Sequence, residues 1–212
     1  MLRVTEIFAS VQGETSFSGY PFAFVRLTGC NLRCRYCDTT YAYDAGEEFP
    51  LEEVVSRVTS FGLTRACVTG GEPLLQEEAP ALVATLLDRG QEVLVETNGT
   101  LPLSLVDPRA VRIMDVKCPS SGEDRKMLRD NFRLLTERDE VKFVISSEED
   151  YRYAKEVAAL YRREKKWIIL LSPAFGFLAP EKLAGWMVGD GLDARFQLQL
   201  HKLVWGPDRK GV

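Results

Sequence analysis

No run of 18 apolar residues occurs anywhere in the chain, which argues against a membrane-spanning helix. Positive charge is not in excess either. Lys and Arg number 27 against 31 Asp and Glu, a formal net charge of −4, so no broad basic face for nucleic acid is expected. The segment Met1–Ser10 lacks the apolar stretch of a secretory signal. The expected compartment is therefore the reducing cytoplasm, where the five cysteines are better read as thiols or ligands than as a disulfide framework. There is no low-complexity tract, long linker or internal repeat. Histidine is almost missing. His201 is the only one, and a lone histidine is more often a satisfied structural residue than a base.

What is present is an ordinary globular composition, 45% hydrophobic and 27% charged, so 212 residues suffice to bury a full core without staples. One domain over 1–212 is expected. Short apolar runs rich in Val, Ile and Leu predict strands at Phe22–Leu27, Arg65–Thr69, Glu92–Glu96, Val111–Val116, Val141–Ser146, Trp167–Leu171 and Phe196–Leu200. Between them, helical spacing predicts helices at Leu51–Phe61, Gln76–Arg89, Glu123–Leu135, Glu148–Arg163 and Pro180–Met187. Strands alternating with helices imply an α/β fold with a parallel sheet. A closed eight-unit barrel takes ~250 residues. Six or so units in this length predict an incomplete (βα)6-type parallel barrel, with ligands at the carboxyl ends of its strands.

Directly after the first of these strands the chain reads Thr28-Gly29-Cys30-Asn31-Leu32-Arg33-Cys34-Arg35-Tyr36-Cys37-Asp38. The spacing is Cys-x3-Cys-x2-Cys. Three thiolates can hold three irons of a [4Fe–4S] cubane and leave the fourth iron open to a small molecule. A ferredoxin or a structural zinc site would want a fourth ligand nearby. The other candidates, Cys67, Cys118 and His201, lie far along the chain. A zinc loop completed from a distance is the competing reading. Cys67 sits in an apolar strand and reads as a small core residue.

This loop, with Tyr36 just before the third cysteine, resembles that of the radical S-adenosylmethionine superfamily. The resemblance implies that the cofactor's methionine chelates the open iron, and that an electron from the cluster then cleaves the cofactor to a 5′-deoxyadenosyl radical. It implies cofactor contacts from Tyr36, Cys37 and Asp38. The next strand ends in Gly70-Gly71-Glu72-Pro73, where paired glycines admit a close backbone approach and Glu72 can accept from an ammonium. In the superfamily such a segment holds the methionine amino group. Asp115-Val116-Lys117 closes the fourth strand. Lys117 can pair with the cofactor carboxylate there, or simply with Asp115. Ser172-Pro173-Ala174-Phe175 closes the sixth and is the candidate for the adenosyl part.

The flanks narrow the family. Val11-Gln12-Gly13-Glu14, Arg26 within Phe24-Val25-Arg26-Leu27, Asp38-Thr39 and the tail from His201-Lys202 to Gly211-Val212 together resemble the 7-carboxy-7-deazaguanine synthase family. Members convert 6-carboxy-5,6,7,8-tetrahydropterin to 7-carboxy-7-deazaguanine with loss of ammonia, on the route to the queuosine base. The resemblance implies a Mg2+ ion at Thr39, a flavodoxin- or ferredoxin-type electron donor and a homodimer. It also implies pterin contacts from Val11, Gln12, Gly13, Glu14, Arg26 and Thr69. The chemistry agrees. A pterin edge dense in donors and acceptors suits Gln12, Gly13 and Glu14, the Thr69 hydroxyl adds a contact, and Arg26 can pair bidentately with the carboxylate. The alternatives are an ordinary polar turn at 12–14, a structural ion pair at Arg26 and, for the whole chain, a glycyl-radical-enzyme activase or a non-catalytic metal-binding module.

Overall fold

The computed structural model describes residues 1–161 and 167–212. Its frame is one nine-stranded sheet: β1 (Leu2–Val11), β2 (Pro21–Leu27), β3 (Glu47–Phe49), β4 (Arg65–Gly70), β5 (Glu92–Thr97), β6 (Val111–Asp115), β7 (Glu140–Ile145), β8 (Ile168–Pro173) and β9 (Arg195–Phe196). The order across the sheet is β3-β1-β2-β4-β5-β6-β7-β8-β9. From β2 to β9 every neighbouring pair is parallel, whereas β1 pairs antiparallel with β2 and β3. Among the described residues no pairing joins β3 to β9, so the barrel stays open, as its length implied.

Four helices lie along this sheet: α1 (Leu51–Ser60), α2 (Ala79–Asp88), α3 (Glu148–Tyr161) and α4 (Pro180–Gly189). In α1 the spacing of Val54, Val55 and Val58 puts all three on the buried stripe. Burying such side chains is worth about 1.5–3 kcal/mol each. The strands sort their residues by parity, because successive side chains point to opposite faces. Along β2, Ala23, Val25 and Leu27 join the large core under the helices, while Phe22 and Phe24 join Cys67, Leu94, Val111 and Ile113 in a second cluster inside the curve of the sheet. Cys67 is fully buried there, as its apolar strand suggested.

Four expectations need correction. Leu2–Val11 form β1, the longest strand among the described residues, whose polar outer positions hid it from an apolar-run criterion. The short β3, with Glu47 and Glu48, was hidden for the same reason. Glu123–Leu135 is no α-helix but two short 3-10 turns, Asp124–Lys126 and Arg129–Arg133. Its Asn131 is buried and spends its side chain on the backbone, taking Leu103 N–H at 3.0 Å and donating to Gly99 and Leu101 carbonyls at 3.0 and 2.9 Å. Of the predicted strand Phe196–Leu200 only Phe196 is in a strand, the two-residue β9, and Leu200–Trp205 turns into a short helix, α5. Arg162 and Arg163, the last residues of the predicted helix Glu148–Arg163, lie outside the described residues.

Candidate active site

The carboxyl ends of the parallel strands open into a cavity of about 630 Å³. Its polar wall follows from the same parity that sorts the core. On the inward row of four strands the apolar residues give way to a polar one at the top: Arg26 after Phe24, Thr69 after Cys67, Glu96 after Leu94 and Asp115 after Ile113. On β7 the row is Glu140, Lys142 and Val144, and Lys142 and Val144 line the cavity. Arg26 pairs in register with Thr69, and Asp115 with Lys142. Glu96 and Lys142 were missed from sequence. For Glu96 the signal was there, a charged residue two positions beyond apolar Leu94, but it is readable only once the row's direction is known. Lys142, between Glu140 and Val144 on its row, gives no such signal.

Cys30, Cys34 and Cys37 all line this cavity as half-buried free thiols. The loop that carries them is pinned at several points. Buried Leu32 anchors it, Arg33 N–H donates to Glu123 at 2.7 Å, Arg33 Nη1 to the Cys30 carbonyl at 2.7 Å, and Arg35 N–H to the Ser121 carbonyl at 3.1 Å. Burial pushes the Cys34 thiol up to about 11, partly offset by Lys117, and raises Cys30 as well. Loading a metal cluster must therefore displace protons. Among the described residues no three His, Cys, Asp or Glu side chains converge on a point that one metal ion could occupy. A four-iron cubane asks instead for three thiols spread over its corners.

The glycine pair at the end of β4 presses against that loop. A Cβ on Gly70 would stand 2.2 Å from the Leu27 carbonyl, and one on Gly71 would stand 2.2 Å from the Gly29 carbonyl and 2.6 Å from Cys30 Cβ. Only glycine lets the two strand ends close together there. Glu72 departs from expectation. It is fully buried behind the cavity wall, where its carboxylate takes N–H of Leu74 and Asn98 at 3.0 and 2.7 Å and the Thr97 hydroxyl at 2.9 Å. Burial raises its pKa in spite of these donors. It braces the β4 and β5 ends and presents no free oxygen to the cavity.

Asp115 and Lys117 do line it, paired at 2.9 Å, with Val116 buried between them. Asp115 Oδ1 is buried with no hydrogen-bond partner. At the end of β8, Ala174 and Phe175 reach the cavity, whereas Ser172 and Pro173 are buried within the strand. Tyr36 lines the wall, its hydroxyl 3.3 Å from the Val144 carbonyl, and Thr39 donates to Asp38 at 2.9 Å.

Opposite lies the segment after β1. Val11, Gln12, Gly13 and Glu14 all reach the cavity. Gln12 Nε2 donates to Glu96 at 3.2 Å, Thr69 donates to the other Glu96 oxygen at 3.0 Å, and Glu14 N–H closes back on Gln12 Oε1 at 3.0 Å. Arg26 gives its Nε to Glu6 at 2.6 Å, so the structural ion pair exists. Its terminal nitrogens find no hydrogen-bond partner among the described residues. The tail, left out of the predicted site, forms the remaining wall. Leu200 N–H donates to the Gly13 carbonyl at 2.8 Å, Lys202 pairs with Asp38 at 2.5 Å, and His201, Pro207, Asp208 and Val212 all face the cavity. Asp38, half exposed, would be raised by desolvation, but Lys202 outweighs this and holds it below the carboxylate range.

Comparison with known proteins extends this picture. The sequence profile of the Radical SAM superfamily matches residues 24–115, from β2 to the end of β6. A 7-carboxy-7-deazaguanine synthase of Chlorobaculum tepidum is 49% identical over 214 residues, covering 100% of this chain and 97% of the relative. Those of Koribacter versatilis and Thermoplasma acidophilum are 42% and 38% identical, each with 100% of both chains covered. The crystal structure of QueE from Escherichia coli superposes with a TM-score of 0.79 over 94% of each chain at 22% identity, which speaks to fold alone. Streptococcus suis SuiB, solved bound to S-adenosylmethionine, gives a TM-score of 0.56 at 10% identity, over 84% of this chain and 46% of that one. With three clustered thiols at the mouth of an open parallel barrel, and full-length relatives at this identity, the chain belongs to the 7-carboxy-7-deazaguanine synthase family of radical S-adenosylmethionine proteins.

Proposed function

We propose that this chain converts 6-carboxy-5,6,7,8-tetrahydropterin to 7-carboxy-7-deazaguanine with loss of ammonia, working as a single domain. One observation carries the reading: Cys30, Cys34 and Cys37 share a single cavity with Gln12, Glu14 and Arg26. The residues present fit the implied groups. Three half-buried thiols suit a [4Fe–4S] cluster with one open iron, and the orphaned Asp115 Oδ1 beside Lys117 offers a zwitterion both an acceptor and a cation. When bound, the cluster and S-adenosylmethionine supply reductive cleavage and a hydrogen-abstracting radical.

The chain's own residues bind, orient and exclude water. Asp115 and Lys117 hold the methionine end of the cofactor, with the Gly71 backbone close by. Ala174 and Phe175 flank the adenosyl part. Arg26 offers its free terminal nitrogens to the substrate carboxylate, while Gln12, Glu14 and the Glu96–Thr69 pair read the ring edge. Mg2+ at Thr39 and Asp38, two oxygen donors already in contact, belongs to this reading, since a hard cation takes such ligands. So do a flavodoxin- or ferredoxin-type donor, a homodimer and a cytoplasmic setting. The tail walls the cavity on the side of Gly13, which suits a small molecule better than the backbone glycine of a large partner. Anaerobically reconstituted protein, given reductant, S-adenosylmethionine and the tetrahydropterin, should form the deazaguanine. Absence of product with an intact cluster would overturn the proposal.

A further inference from the structure

Lys142 is a buried ammonium that neither the cluster nor the expected ligands account for. It projects inward from β7, is 8% exposed, and stands 2.6 Å from Glu14 Oε2 and 3.4 Å from Asp115 Oδ2. A charge taken out of water is retained only where paired carboxylates compensate it. Burial would lower its pKa, but Glu14 and Asp115 outweigh that and keep it charged.

The two partners lie on different parts of the fold. Asp115 is its register neighbour on β6, whereas Glu14 follows β1, and β1 stands five places from β7 in the order β1-β2-β4-β5-β6-β7. The contact with Glu14 therefore crosses the concave side of the sheet. Beneath it Ser16 N–H makes a parallel crossing to Glu140 of the same strand at 3.0 Å. The second of these crossings already ties the loop to β7, so the fold alone does not call for a lysine at the top. The lysine also determines which oxygens remain free. Glu14 has Oε2 on Lys142 and Oε1 on Gln199 at 2.7 Å, and Asp115 has Oδ2 on Lys117 and Lys142 while Oδ1 is unpartnered.

We propose that Lys142 is a positioning residue, a counter-ion shared by the carboxylate that reads the pterin and the carboxylate that holds the cofactor, and that it couples binding at the two sites. The inference rests on the function proposed above. Each carboxylate competes for one ammonium, so a donor arriving at either changes the pull on the other. Whichever ligand binds first fixes the lysine and with it the other carboxylate, which lowers the ordering cost of the ligand that binds second.

The test is anaerobic calorimetric titration of cluster-loaded protein with S-adenosylmethionine, with and without the tetrahydropterin and with no reductant, so that nothing turns over. Wild type should bind the cofactor about tenfold tighter when the pterin is present, a coupling of the usual allosteric size. In Lys142→Met that ratio should fall toward one and KM for the pterin should rise more than kcat falls, while iron content stays close to wild type. The thermal midpoint should drop, because Glu14 loses its buried counter-ion, so binding is compared well below it. Lys142→Arg, which keeps the charge, should recover part of the coupling. Glu14→Gln combined with Lys142→Met should lose no more of the coupling than Glu14→Gln alone, because the coupling runs through that ion pair. If Lys142→Met does not load its cluster, Glu14→Gln, which removes the carboxylate's charge, should abolish the coupling from the other side. Undiminished coupling in either variant, or none in wild type, overturns the inference. Wild-type protein that fails to turn over the pterin at all overturns the functional reading instead.

Discussion

At the scale of single residues, the site depends on a few atoms that no substitute can provide. The three loop cysteines are the clearest case. Alanine at Cys30, Cys34 or Cys37 should abolish cleavage of S-adenosylmethionine and lower iron content after reconstitution, as measured by iron and sulfide analysis. Cys67→Ala should leave both intact and cost about 1 kcal/mol in urea unfolding, since it removes one small buried group from the inner cluster. Gly13 is a subtler case. A Cβ there would stand 2.0 Å from His201 Nδ1 and 3.0 Å from its backbone nitrogen. Gly13→Ala is therefore expected to push the tail off the segment after β1, raising KM for the substrate about tenfold, with iron content unchanged. Sequence spacing singled out the glycine but assigned it to the ligand. The structure shows that it also makes room for the histidine.

At the scale of elements, the crossover from β6 to β7 is the one that pattern reading mistook. Its apolar residues suggested a helix, yet Asn131 and Asp139 hold it as irregular chain. Arg112 on β6 donates from Nε to Asp139 Oδ1 at 3.1 Å and from Nη2 to Oδ2 at 2.5 Å, and Thr136 N–H closes onto the same carboxylate at 2.7 Å. Both side chains are nearly inaccessible. Burial alone would raise Asp139, but the hydrogen bonds from Arg112 and Thr136 outweigh it and leave the folded pKa below the ordinary value. A group depressed on folding stabilises above its unfolded pKa and loses that contribution as pH falls through its folded one. Denaturation midpoints should therefore be flat with pH for this pair near neutrality and fall below about pH 4. Asp139→Asn should abolish that acid-side component and cost about 3 kcal/mol at neutral pH, because it leaves a buried guanidinium without its counter-charge.

At the scale of the whole molecule, an open sheet leaves its concave side to be closed by something other than strands. The chain's two ends do this together. Gly13 receives Leu200, Glu14 receives Gln199, and Asp38 of the cluster loop receives Lys202. Removing residues 206–212 takes Pro207, Asp208 and Val212 from the cavity wall while leaving α5 in place. The truncated protein should load a full cluster yet show a pterin KM raised about tenfold, read from initial rates against substrate. An unchanged KM would mean that this part of the wall does not touch the substrate. Among the described residues no helix is long and apolar enough to cross a membrane, in line with the absence of apolar runs.

The sequence alone determined whatever is local or periodic. The cysteine spacing, the paired glycines and the apolar runs that become β2 and β4 to β8 are of this kind, because neighbouring residues create the signal and the core later buries it. The polar row of Arg26, Thr69, Glu96, Asp115 and Lys142 was half legible, since parity along one strand shows which residues share a face but not which face lines the cavity. Glu72 could not be placed from sequence, because burial behind Thr97 and Asn98 depends on how the β4 and β5 ends fold over it. The same holds for the pairing of Lys142 with Glu14, 128 residues apart. Only the tertiary structure brings such charges together, since contacts across the concave side of an open barrel leave no trace in the order of the chain.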